Sequence, residues 1–175
     1  LDKLENAITP YLATLDQENM TRDDLQRMDD ILAFISNIGH AGDIAHHGLL
    51  SHIAKLRKQG WVFSPEQRAS LDDTLGELIA NQRQAAALFV NDDLRQARAL
   101  AGEKSRFRTI EAQAADTHLQ KIKAGQVDAA EVGALYLDIL RDMKGINSHL
   151  VGAAAYPLLA RHGELLPSRL REAGN

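Results

Sequence analysis

Ten positions between residues 25 and 56 follow one another at alternating steps of three and four residues: Leu25, Met28, Leu32, Ile35, Gly39, Gly42, His46, Leu49, Ile53 and Leu56. Only a helix brings positions so spaced onto one stripe, and a stripe this long must be covered by other helices. Thr21, followed by Asp23 and Asp24, is the expected N-cap. Gly60, after Lys55, Arg57 and Lys58, is the expected stop. The rod between them is predicted to be on the order of 55 Å long.

The rest of the chain keeps the helical period. Residues 1 to about 17 carry Leu4, Ile8, Tyr11, Leu12 and Leu15, with Pro10 expected to kink or break the segment. Ser64-Pro65-Glu66-Gln67 is an N-cap with a first-turn proline and a capping-box glutamine. It opens a helix whose stripe is Leu71, Leu75, Leu78, Ala85 and Phe89, ending near Asn91-Asp92. Residues 93 to 123 follow, with Leu94, Ala97, Phe107, Ile110, Ala114 and Ile122 expected inward. The next helix starts near Asp128 and carries Val132, Leu135, Ile139, Met143, Ile146, Leu150 and Ala153 to Tyr156-Pro157 or a little beyond; a short one is expected after Pro167. Connections this short make neighbours antiparallel. The expected fold is all-α, one domain over residues 1–175, an antiparallel up-and-down bundle of long helices.

Composition narrows the function. A net charge of −4 with both signs interspersed excludes the basic stripe of a nucleic-acid module, and no polybasic run or long apolar span marks direct membrane attachment or insertion. There is no cysteine, hence no disulfide framework, thiolate metal site or cysteine nucleophile. No G-x-S-x-G, H-E-x-x-H or di-iron carboxylate pattern is present, and Gly102-Glu103-Lys104-Ser105 lacks the first glycine and preceding strand of a phosphate loop. The chain therefore reads as a binding or regulatory module, not an enzyme. Leu1 already lies in a helical pattern and no methionine begins the chain, so it is expected to be the C-terminal piece of a longer protein.

Three polar groupings interrupt the oily stripes. His40, Asp43 and His47 share a face that can present two imidazoles and a carboxylate to one metal, or stand solvated opposite the seam. Gly39 and Gly42 can let a neighbouring helix pack closely. Asp138, Asp142, Gly145, His149 and Gly152 recur along one edge of the last long helix, with Asn147 and Ser148 beside them. Glu111 and His118 lie seven residues apart; a carboxylate there needs a partner, for which Arg108 or Lys104 is available locally and His149 or Asp43 across the bundle. This set forms either a register-fixing hydrogen-bond layer or a ligand or metal layer. Trp61 and Phe63 either close one end of the bundle or form a docking patch.

Three stretches carry a family resemblance: Asn37-Ile38-Gly39-His40-Ala41-Gly42-Asp43; Phe107-Arg108 to Glu111 with His118-Leu119; and Leu140-Arg141-Asp142-Met143-Lys144-Gly145-Ile146-Asn147-Ser148-His149 with Ala155-Tyr156-Pro157-Leu158-Leu159. They are similar to the helix motifs of the PhoU-like domain at the cytoplasmic C-terminus of bacterial Na+/phosphate cotransporter family proteins. The resemblance implies long helices in three-helix units, the first cut short here. It also implies phosphate transport or homeostasis: a regulatory domain at the cytoplasmic face of the inner membrane, tethered through upstream transmembrane segments and partnered by them or by a second copy. PhoU-type domains bind divalent or iron metal clusters through E/D-x-x-x-D on two helices. Here Gly39 stands at the first acidic position, leaving Asp43, and Lys144 and Ser148 replace the second pair. The metal candidates that remain are Asp43, His47, Glu111, His118 and His149. The competing expectations are a stand-alone metal- or phosphate-binding bundle and a helical adaptor acting through protein–protein contacts.

Overall fold

The computed structural model describes residues 2–15, 17–126 and 130–164. The expected start near Asp128 and the short helix after Pro167 lie outside them. Every regular element among the described residues is helical. They are α1 (Asp2–Ala13), α2 (Arg22–Asp43), α3 (Leu50–Gln59), α4 (Pro65–Val90), α5 (Leu94–Lys123), α6 (Ala130–Leu150) and α7 (Tyr156–Arg161). A 3-10 turn, Gln17–Asn19, follows α1. Two π-helical turns, Ile44–Leu49 and Val151–Ala155, join α2 to α3 and α6 to α7.

The starts and stops follow local chemistry. Thr21 caps α2 in a reciprocal box with Asp24, and Ser64 caps α4 in the same way with Gln67. Asp93 caps α5 by accepting from the N–H groups of Arg95 and Gln96. Gly60 closes α3 at φ 65°, a left-handed conformation that glycine adopts without cost. Pro10 does not break α1. Pro10 and Asn6, whose carbonyl it leaves without an intrahelical donor, are both exposed, so water can take the donor's place.

α6 is the hub, packed against α2, α4 and α5. Contacts with α5 and with the rod formed by α2 and α3 run in opposite senses: Glu111 meets Lys144 while His118 meets Gly133, and Asn37 of α2 meets His149 while His52 of α3 meets Asp142. Contacts with α4 keep a constant offset, Ser70 to Tyr136 and Asn81 to Asn147, so α4 and α6 are parallel. This is the up-and-down order expected of short connections. Leu135, Ile139, Met143, Ile146, Leu150 and Ala153 of the predicted stripe are all buried. Phe107, Leu100 and Ala97 meet them from α5, and Leu78, Ala85 and Leu88 from α4. Phe63 is buried edge-on against Tyr136, and Trp61 packs beside the core with Lys55 over its ring, so the two aromatics close this end of the bundle.

Several predicted inward positions face water instead, His46 of the first seam among them. Ile53, Leu75 and Ile122 are 47%, 41% and 45% exposed. The seam of the first rod is covered by α1 only along its upper part, where Glu5 lies against Gly39. The face that α4 buries is Thr74, Leu78, Asn81, Ala85 and Leu88. Two of those five are polar, so a search for apolar periodicity settles on Leu75 in place of Thr74.

Candidate functional site

The α2–α6 crossing gathers the polar groups that the oily stripes leave over. The two rods approach closely because glycines stand at the contact. Gly145 faces Ile44 and Gly152 faces Asn37, where an added Cβ would sit 3.2 and 3.1 Å from its neighbour. A Cβ on Gly48 would come within 2.8 Å of Asp142 Cγ. Both π-helical turns flank this crossing, one on each rod. Each widens its helix by one residue per turn and re-aims the side chains beyond it.

His149 projects from α6 to α2. Its Nδ1 lies 3.1 Å from Asn37 Oδ1, and Asn37 Nδ2 donates to the Ala33 carbonyl at 2.8 Å. That second bond fixes the amide orientation, so Asn37 offers an acceptor and His149 Nδ1 must carry the proton. The imidazole of His40 stacks on that of His149, with centroids 5.2 Å apart and planes 19° apart. Burial first, then the neighbouring His40 and Lys104, hold the His149 pKa below its ordinary 6.5. Lys104 reaches the same region from α5, its ammonium 5.1 Å from the Tyr156 ring centroid.

Two turns nearer the start of α6, His52 Nε2 stands 3.2 Å from Asp142 Oδ2, near enough for an ion pair but poorly aligned for a hydrogen bond. Burial dominates at Asp142 and pushes its pKa up; His52 and Arg141 pull against that, while Asp138 adds to it. Behind the crossing, Asn81 Nδ2 donates to Asn147 Oδ1 at 3.0 Å in the core.

The five predicted metal candidates do not assemble. Asp43 and His47 are exposed, and His47 meets His46 edge-on at 4.7 Å. Glu111 is held by Lys144 and Arg141, not by Lys104, Arg108, Asp43 or His149 as expected from sequence. The Lys144 contact comes first among the causes that hold its pKa below 4.5. His118 turns onto Gly133 at the far end of α6. There it lines an open, mainly apolar groove of about 730 Å³ with Ser64, Gln67, Lys121 and Tyr136. Among the described residues no three His, Asp or Glu side chains converge where a metal ion could be held. The His40–Asp43–His47 face fails for a local reason: His40 leans onto His149 and His47 onto His46, so the imidazoles diverge. Sequence inspection missed His52 and the role of Asn37. Asn37 lies on α2 and His52 on α3, beyond the π-helical turn, and only packing shows which imidazole and which carboxylate they meet.

An all-α bundle with a polar, glycine-lined crossing is thus the class this chain defines. No family model matches the sequence, and no solved structure matches it. It is similar to the "Putative inorganic phosphate export protein YjbB" of Salmonella typhimurium, 31% identical over 157 residues, which cover 89% of this chain and 28% of that protein. It is also similar to the protein of the same name from Escherichia coli K12, 29% identical over 165 residues, covering 94% of this chain and 30% of that protein. The chain therefore spans about three-tenths of the length of the curated relatives it matches.

Proposed function

We propose that this chain is a PhoU-like regulatory domain acting in phosphate homeostasis as part of a membrane protein that moves phosphate. The observation that carries the reading is the match across nearly the whole chain to a segment of proteins named for inorganic phosphate export. Among the described residues no helix is long and apolar enough to cross a membrane. The role assigned to the domain is therefore control, and the translocation path belongs to the rest of the parent protein. The parent is read as a sodium-dependent phosphate cotransporter family protein of the inner membrane, with this domain at its cytoplasmic face and its transmembrane portion as partner. The domain acts by binding and by changing how its helices meet, not by turning over a substrate. The glycine-lined α2–α6 crossing is suited to this, because side chains of each rod lie directly on glycines of the other, so the rods shift when one of those side chains changes partner.

The test compares membrane vesicles carrying the parent protein with and without the helical domain formed by this chain. Labelled phosphate flux should persist in the truncated form and lose its dependence on phosphate in the compartment that the domain faces. Flux and dependence both unchanged by the truncation would overturn the reading.

A further inference from the structure

We infer that the open edge of the α2–α6 crossing binds a protonated tetrahedral oxyanion of the phosphate class, held by His40, Lys104 and His149. The inference deepens the functional reading above and rests on it for the choice of phosphate as probe. Three observations carry it. Three elements contribute: His40 of α2 stacks on His149 of α6, and Lys104 of α5, its ammonium over the Tyr156 ring, carries a positive charge that acts on His149. No third His, Asp or Glu joins the two imidazoles closely enough to hold a metal ion among the described residues, so the cluster offers donors and positive charge without the carboxylate a cation would want. The stacked imidazoles also lie with planes only 19° apart, which does not aim two lone pairs at one metal.

The tautomer of His149 sets the selectivity. Its Nδ1 proton is committed to Asn37, whose own amide is anchored on Ala33. The neutral ring therefore presents a bare Nε2, a proton acceptor. An oxyanion that keeps a hydroxyl can donate to that nitrogen while its charged oxygens take the Lys104 ammonium and a His40 N–H. Monohydrogen and dihydrogen phosphate have such a hydroxyl; sulfate at neutral pH has none. A site with an acceptor at this position discriminates between two ions of nearly equal size, because the wrong one sets a lone pair against a lone pair. Arsenate shares the chemistry of phosphate and should be accepted; a phosphate monoester, mostly a dianion without a P–OH at neutral pH, should be held weakly, as sulfate is.

The experiment is side-chain nitrogen NMR on the 175-residue chain labelled at histidine. Before any addition, His149 should show the pattern of an Nδ1-protonated neutral ring. Inorganic phosphate should then move the His40 and His149 signals saturably and leave His52 and His118 in place. Sulfate at matched ionic strength should bind at least about tenfold more weakly, and Lys104→Met should weaken phosphate by about tenfold, the size of one lost charge-assisted contact. Lys104 is half-exposed, so its replacement leaves the core intact. Glycerol phosphate as a separate arm tells a free ion from a phosphate group carried on a nucleotide or lipid. Equal response to sulfate, uniform movement of all histidines, or no saturable shift with phosphate on the order of tens of millimolar would overturn the inference. So would zinc moving these two rings where phosphate does not. The two ideas fail separately. Truncation that alters phosphate flux, with no phosphate binding here, sinks the oxyanion site alone. Binding here without any effect of truncation sinks the regulatory reading alone.

Discussion

Gly48 shows how much one missing methyl group controls at the crossing. In a helical segment, alanine is ordinarily favoured over glycine by roughly 1 kcal/mol. Here a Cβ would strike the Asp142 carboxylate, which is half-buried and already positioned against His52. The carboxylate sits at the end of a short side chain and can swing away, but only by leaving His52 and re-entering a crowded contact. Gly48→Ala is therefore expected to cost about 1–2 kcal/mol in the natural sequence, within the usual range for a mutation that breaks a buried polar contact. In an Asp142→Ala background the collision is gone, and the same change should become stabilising by its helix preference. Denaturant melts of the four proteins check this as a double-mutant cycle. An equal cost in both backgrounds would mean that something other than Asp142 requires the glycine.

At the level of elements, the buried amide pair between α4 and α6 sets the register of two parallel helices. Asn81 Nδ2 donates to Asn147 Oδ1, and Asn147 Nδ2 finds no acceptor among the described residues. Asn147→Leu leaves the Asn81 donor buried and unmatched and should cost about 2 kcal/mol. Asn81→Leu strands both polar ends of Asn147 and should cost at least as much. The double Leu variant removes every unmatched group and should lie well above the sum of the singles in stability, near the natural protein. Urea unfolding of the three variants decides it; additive costs would show that the pair is not a unit. This register was hidden in the sequence, whereas the helix ends were not. Caps such as Thr21 with Asp24 and Ser64 with Gln67 are local chemistry, and local spacing suffices to place them. The stripe of α6 was legible because every position on it is apolar. Asn81 and Thr74 were passed over because a buried polar residue looks like a surface one until its partner on another helix is known. The π-helical turns were not legible either. The 3–4 seam from Leu25 to Leu56 continues through Ile44–Leu49 as though the rod were regular, and the extra residue per turn answers to packing against α6. Pro10, expected to kink or break its segment, does not break α1, because its cost depends on whether the freed carbonyl meets water.

For the molecule as a whole, these contacts predict a stability profile against pH with limbs that can be assigned to named residues. The folded state disfavours protonated His149, so its pKa lies below 6.5, and the unfolded chain takes up that proton first. The contribution is complete above about pH 6.5 and is lost as pH falls through the folded value. Glu111 behaves in the same sense one range lower. Lys144 and Arg141 hold it ionised, so its contribution is present above 4.5 and lost as pH falls below that. Asp142 runs the other way. Burial raises its pKa, the folded state keeps the proton longer, and its contribution is present below 3.8 and lost as pH rises through the folded value. As pH falls it therefore works against the losses from the other two groups. Acidification from pH 7 to 5 should lower the melting temperature through His149, with a second descent in the carboxylate range through Glu111. His149→Gln should flatten the upper limb and spare the lower, and Glu111→Gln the reverse. The amide introduced by His149→Gln can still donate to Asn37, so loss of the slope would report the titration and not the missing contact. If the upper limb persists unchanged in His149→Gln, the imidazole at the α2–α6 crossing is not the group that senses the proton. The tautomer assigned from Asn37 and Ala33 would then lose its consequence for the fold.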